Sequence, residues 1–176
     1  MVRYSKFLSL ILRHNPSRIG LSLDAQGWVE VDALLAAANR HDVPLTRALL
    51  ERVVAENNKQ RFVLSADGRQ IRANQGHSLP VDLGLEPIEP PELLYHGTAD
   101  RFVDNIRREG VLPRRRIHVH LSPDVRTAES VGRRHGQPIV LTIRAAAMHH
   151  DGFEFYQAAN GVWLTAYVPP AYIKEP

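Results

Sequence analysis

Lys59-Gln60-Arg61-Phe62-Val63-Leu64-Ser65-Ala66-Asp67-Gly68-Arg69-Gln70-Ile71-Arg72-Ala73 contains two extended runs on either side of an Asp-Gly turn. Phe62, Val63 and Leu64 on one side and Ile71 on the other suit a half-buried pleated surface, and Asp67-Gly68 supplies the positive φ of a tight reversal, so the stretch reads as a β-hairpin. Arg61 and Arg72 lie on its two arms. Either can be a solvated strand position, yet a guanidinium fork matches a phosphate better than an ammonium does.

Upstream, Tyr4, Phe7, Leu8, Ile11 and Leu12 recur at helical spacing, which predicts a helix over 4–14 that Asn15-Pro16 stops. Arg13 and His14 fall in its last turn, where cations complement the helix dipole. Asp24-Ala25-Gln26-Gly27-Trp28 is a turn into a short extended piece. Asp32 is expected to cap a helix over 33–40, and Thr46 another that carries Leu49, Leu50, Val53 and Val54 on one face and stops at Glu56-Asn57-Asn58. Three helices followed by a hairpin describe a winged-helix lobe over residues 1–78. That fold serves both nucleic-acid and protein recognition, so it does not decide function.

Downstream, Asn74-Gln75-Gly76-His77-Ser78 closes this half, and residues 79–92, with Pro80, Pro87, Pro90 and Pro91, read as an extended linker. Residues 93–176 read as a second lobe. Leu93–His96 runs into Gly97-Thr98; a helix near 100–109 ends at Gly110; Ile117-His118-Val119-His120-Leu121-Ser122 alternates as a strand; Asp124–Arg134 is a helix; Ile139–Ile143 is a buried strand. Phe153–Tyr156 and Val162–Val168 flank an Asn160-Gly161 turn. The many short strands predict an α+β lobe with a split or sandwiched sheet.

Charge separates the halves. Residues 1–78 carry 11 Lys and Arg against 7 Asp and Glu, whereas residues 79–176 carry 11 against 12. A polyanionic partner is therefore expected at the first half. There is no cysteine, which excludes disulfides, thiol catalysis and thiolate metal sites. No apolar run reaches the roughly 20 residues of a membrane span, and the first helix lacks a signal-peptide core, so no membrane association is expected and the cytoplasm is the expected location. His118 and His120 share a strand face and can be read as two zinc ligands, with a third from His96, His149, His150 or a carboxylate. No HExxH, GxGxxG or P-loop spacing accompanies them.

Seven short segments occur in one order: Ser5-Lys6 leading to Leu12-Arg13-His14, Asn58-Lys59-Gln60-Arg61-Phe62, Gln75-Gly76-His77-Ser78, His96-Gly97-Thr98, His118–Ser122, Gly132-Arg133-Arg134-His135-Gly136 and Asn160–Thr165. In that order they resemble the NAD-dependent RNA 2′-phosphotransferases of tRNA splicing, across nearly the whole chain. The resemblance implies a winged-helix RNA lobe joined to an ADP-ribosyltransferase-like lobe, no metal, and NAD consumed as co-substrate. It implies an RNA bearing a 2′-phosphate, a tRNA by expectation, as partner, and a monomer is expected.

The family's essential set maps onto Arg13, His14, Arg61 and an arginine of the Gly132–Gly136 segment, where Arg134 has the matching spacing and Arg133 is the alternative. Lys59, Arg72, Gln75 and His77 are implied at the RNA phosphate. His96, Gly97, Thr98, His120, Ser122, Asn160 and Val162 are implied around NAD. Val162 stands where many protein-modifying ADP-ribosyltransferases place a catalytic Glu, which leaves the ribose 2-hydroxyl available for a second step. Two other readings stay open: a transferase that caps terminal phosphates of nucleic acid with ADP-ribose, and a non-enzymatic binding module whose second lobe senses a nucleotide.

Overall fold

The computed structural model describes residues 1–176, which divide into two compact units, Met1–Gly84 and Leu85–Pro176. Both are mixed α+β with small antiparallel sheets.

In the first unit, helix α1 spans Val2–Arg13, α2 Val31–Arg40 and α3 Arg47–Ala55. Strands β1 (Val29–Glu30), β2 (Phe62–Leu64) and β3 (Gln70–Ala73) form an antiparallel sheet in the order β1-β3-β2. Apolar residues three and four apart put Leu8, Ile11 and Leu12 of α1 on one face, and these meet Leu34, Leu50 and Ile71 in a fully buried core. The hairpin read from the sequence is present, with Phe62 opposite Ala73, Val63 opposite Arg72 and Gly68 at φ 69° in the turn.

Helix α1 stops one residue earlier than expected, at Arg13, with His14 as its C-cap. Thr46 does cap α3, its hydroxyl accepting the Leu49 N–H at 3.2 Å. Asp32 does not cap α2. The Val31 N–H already donates to the Arg69 carbonyl at 2.8 Å, so β1 passes directly into the helix, and Asp32 in the first turn pairs with Arg47 at 3.1 Å instead.

The second unit holds two three-stranded antiparallel sheets. One orders β4 (Leu94–Ala99), β6 (Pro138–Ile143) and β9 (Ile173–Lys174); the other orders β5 (Val119–Leu121), β8 (Trp163–Thr165) and β7 (Phe155–Gln157). Tyr95 and Ser122 exchange two backbone hydrogen bonds, at 2.9 and 2.7 Å, and so tie β4 of the first sheet to the residue following β5. Leu94, Leu121, Leu141, Ile143 and Phe155 fill the core. Helix α4 (Val103–Glu109) follows a 3-10 turn, and α5 (Val125–Gly132) is capped by the Asp124 carboxylate, which accepts the Thr127 N–H at 2.7 Å. Helix α5 ends two residues before the expected Arg134. Helix α6 (Ala145–His150) and strand β9 were not expected; six and two residues are too short to show a period.

The proline-rich stretch has no helix or strand before Leu94. The Asp82 N–H donates to the Ala25 carbonyl of the first unit at 2.8 Å, and the Ile88 N–H to the Phe155 carbonyl of the second at 2.8 Å, so each end is tied to its own unit.

Glycine decides how α5 meets β4. A Cβ on Gly97 would stand 1.7 Å from the Ala128 carbonyl oxygen, and one on Gly132 would stand 2.6 Å from the Thr98 carbonyl oxygen. Helix and strand backbones thus touch, and the obstacle to a side chain is backbone, which cannot swing aside. Gly97→Ala should therefore lower stability by at least about 1–3 kcal/mol, the usual cost of overpacking. The drop should appear in the melting temperature, whereas Gly20→Ala, which meets nothing within 4 Å and suffers only its positive φ, should cost less.

Candidate active-site residues

The first unit collects its cationic residues where the segment after β3 folds back on the end of α1. The Ser78 N–H donates to the Arg13 carbonyl at 2.9 Å, and Ser78 Oγ lies 3.0 Å from His14 Nδ1. Asn74, Gln75 and His77 are buried beneath, and Arg13, although charged, is only 9% exposed. The helix-dipole role suits Arg13 and His14, but burial of a guanidinium goes beyond what a surface cap requires.

Arg72 projects from β3 and stacks on Trp28, its Cζ 4.6 Å from the ring centroid, while its Nη1 donates to the Gln26 carbonyl at 3.4 Å. Its Nε is buried without a hydrogen-bond partner. Burial lowers its pKa, and Asp24 opposes that shift. The Asp24 carboxylate also accepts the N–H groups of Gln26 and Trp28, at 2.9 and 2.8 Å, and shapes the turn that presents the indole. Nothing in the sequence singled out Trp28 beyond its place after a turn.

His77 sits among these cations, 2% exposed, with its Nε2 lacking a hydrogen-bond partner. A methyl group on Gly27 would come within 3.2 Å of that nitrogen. Burial first, then Arg13, His14 and Arg72, push the His77 pKa from 6.5 to about 4. At neutral pH the ring is uncharged, so it separates the cations without adding to their repulsion.

Arg61 lies immediately before β2. Its Nη1 donates to Asn57 Oδ1 at 3.3 Å and reaches Ser5 Oγ at 3.5 Å. Asn57 Oδ1 also accepts the N–H of Lys59, which is exposed in the same turn, at 3.1 Å.

In the second unit, His96 and Thr98 lie on β4 two residues apart, hence on one face, while Gly97 faces α5. Gly97 thus has a packing role whatever else it does. His96 Nδ1 lies 3.1 Å from the His120 carbonyl. A carbonyl only accepts, so Nδ1 carries the hydrogen and the Nε2 of the neutral ring keeps a lone pair. Burial lowers the His96 pKa, with Arg116 and His135 adding to the effect against the His120 carbonyl bond. Arg116 Nη1 lies 2.9 Å from His120 Nδ1. A guanidinium only donates, so in the neutral His120 the hydrogen is on Nε2.

Arg116 is a residue that sequence reading missed. Its place as the last of Arg114-Arg115-Arg116, just before a strand, was the available signal, and the run obscured it. Burial lowers its pKa even though part of the side chain remains at the surface. Arg133 is paired with Glu129 at 2.6 Å, and Arg134 is exposed with no side-chain hydrogen bond. Ser122 is held through its backbone by Tyr95, and Asn160 Oδ1 accepts the Val162 N–H at 3.4 Å in the β7–β8 turn. His118 packs against Tyr156 with ring centroids 5.7 Å apart.

The first unit gathers Arg13, His14 and Arg72 around His77, with Arg13 buried and His14 exposed, and the second sets His96 beside His120 and Arg116. Residues 1–167 match the family described as RNA 2′-phosphotransferase, Tpt1 / KptA family. Among similar proteins, a probable RNA 2′-phosphotransferase of Agrobacterium fabrum is 58% identical over 169 residues, covering 96% of this chain and 91% of its own. One from Acaryochloris marina is 53% identical, covering 97% and 94%, and one from Streptomyces coelicolor is 54% identical, covering 99% and 95%. The chain belongs to the RNA 2′-phosphotransferase family.

The position of His77 sets a pH dependence. Its pKa is lower folded than unfolded, so between pH 6.5 and about 4 the unfolded chain binds more protons. The neutral ring's full stability is present above pH 6.5 and is lost as pH falls toward 4, by on the order of 2–3 kcal/mol. Between pH 7 and 4.5 the melting temperature of the wild type should fall more steeply than that of His77→Gln.

Proposed function

We propose that this chain removes a 2′-phosphate from RNA by transferring it to NAD, with a tRNA splice junction as the type of substrate and the cytoplasm as the place. Membership of the RNA 2′-phosphotransferase family over residues 1–167 carries the reading. In the proposed course the RNA 2′-phosphate displaces nicotinamide from C1 of its ribose, giving an ADP-ribosylated RNA 2′-phosphate. The neighbouring ribose 2-hydroxyl then attacks phosphorus, and the departing RNA 2′-oxygen takes up a proton. The products are 2′-OH RNA, ADP-ribose 1″,2″-cyclic phosphate and nicotinamide.

In this reading the first unit, with three helices and a hairpin, is a winged-helix RNA lobe, and the second is an ADP-ribosyltransferase-like lobe. The attacking phosphate is already an anion, so the first step needs positioning more than a base. The second builds charge on phosphoryl oxygens, which fixed guanidinium groups stabilise. Arg13 and Arg61 are assigned to the phosphate, with His14 beside them; Lys59, Arg72, Gln75 and His77 support the grip.

The residues of the second unit fit an NAD ribose. A ribose hydroxyl both donates and accepts, and the His96 Nε2 lone pair and the hydroxyl of Thr98 supply an acceptor and a group able to take either role. Gly97, Ser122, Asn160 and Val162 complete the proposed NAD contacts. For the remaining arginine, Arg116 is the better assignment than Arg134, because it alone of the two is hydrogen-bonded to His120.

An RNA with one internal 2′-phosphate, incubated with NAD and followed by mass spectrometry, should lose its phosphate as nicotinamide appears. Arg13→Ala, Arg61→Ala and Arg116→Ala should each slow this by about 100-fold or more, and Arg134→Ala by much less. Unchanged RNA with no nicotinamide released would overturn the reading. A persistent ADP-ribose adduct on a terminal phosphate would support capping instead.

A further inference from the structure

Six arginines here are held by carboxylates. Arg107 meets Glu175 and Asp104 at 2.6 and 2.8 Å, Arg47 meets Asp32, Arg52 meets Glu56 and Arg133 meets Glu129. Arg61 is held differently. Its Nη1 donates to Asn57 Oδ1 at 3.3 Å, with Ser5 Oγ at 3.5 Å, and it pairs with no carboxylate.

Asn57 is built into its place. It follows α3, is 9% exposed, and donates from Nδ2 to Ser5 Oγ of α1 at 3.1 Å. Its Oδ1 also accepts the Lys59 N–H at 3.1 Å, and its backbone carbonyl accepts the Gln60 N–H at 2.7 Å. Gln60 is thereby turned into the left-handed region, at φ 41°, and the Asn74 N–H fixes the Arg61 carbonyl at 2.9 Å. Ser5, Asn57, Asn58, Lys59 and Arg61 line a recess of about 240 Å³ in which Glu56 is the only carboxylate.

A carboxylate partner would fix a guanidinium and cancel its charge together. An amide oxygen and a hydroxyl fix it and leave the charge intact. We propose that Asn57, braced by Ser5, is a positioning residue for Arg61. It aims the guanidinium without neutralising it, so that the full positive charge meets the phosphate of the RNA. The proposal rests on the assignment of Arg61 to that phosphate.

Binding of an oligonucleotide with one 2′-phosphate, measured by fluorescence anisotropy without NAD, tests it on the full chain. Arg61→Ala should weaken binding by about tenfold or more, as expected for loss of a charge-assisted contact. Asn57→Ala should weaken it several-fold in the wild type and by less than about twofold in the Arg61→Ala background, because it acts through Arg61. Asn57→Asp keeps the acceptor for Arg61 and the Lys59 N–H, and the Ser5 hydroxyl can turn to donate to the oxygen that replaces Nδ2, so it should keep the melting temperature near wild type while weakening binding and flattening its salt dependence by about one phosphate contact.

A purely structural Asn57 would lower affinity equally in both backgrounds and leave Asn57→Asp binding as the wild type does. Either result overturns the proposal. If Asn57→Ala fails to fold, Ser5→Ala in the same two backgrounds serves in its place. If Arg61→Ala binds like the wild type, the assignment of Arg61 fails instead.

Discussion

Like charges crowd together in the first unit, and the rest of that unit is arranged so that they can. Burial raises the cost of a proton on His77, and Arg13, His14 and Arg72 raise it further. The ring stays neutral as a result, and the packing of α1 against the segment after β3 survives its own electrostatics. Hydrophobic burial supplies the compensation: Leu8, Ile11 and Leu12, which precede Arg13 on the same helix, are fully enclosed. The helix that anchors the core is thus also the one that carries the cation inward.

The second unit solves a different problem with the same economy of elements. Strand β4 uses its alternation to separate two tasks. Gly97 turns toward α5, where only hydrogen fits, and the residues on either side of it, His96 and Thr98, are left to the other face. The paired hydrogen bonds between Tyr95 and Ser122 bring the His120 carbonyl within reach of the His96 ring. The packing of α5 and the placement of His96 and Thr98 therefore share one six-residue strand.

Much of this was legible in the sequence where a local rule had no competitor. The Asp67-Gly68 hairpin, the Thr46 cap and the Asn160-Gly161 turn each follow from two or three neighbouring residues. Asp32 was misread because tertiary contact intervened: the Arg69 carbonyl took the N–H that marks where the helix begins. Helix α6 escaped because Ala145–His150 is too short to have a face.

Among candidate site residues, Arg13 and Arg61 were singled out by resemblance. Their surroundings were not, because Asn57 and Ser5 are 52 positions apart and no spacing connects them. Arg116 was hidden by its neighbours, since in a run of three adjacent arginines only the fold shows which one faces a histidine. His77 had been given a supporting place, but its lowered pKa comes from burial first and then from Arg13, His14 and Arg72, surroundings that meet only after folding.

The bond that orients His96 ends on a backbone oxygen, and this affects how the second unit can vary. Every residue type has that carbonyl, so a change of side chain at position 120 can remove the Arg116 contact while the His96 hydrogen stays on Nδ1. The proton arrangement of His96 is in this sense inherited from the sheet and not from any partner side chain. Mutational drift at position 120 can then alter what the second imidazole offers while sparing the first, an asymmetry in tolerance between two histidines that otherwise look like a matched pair.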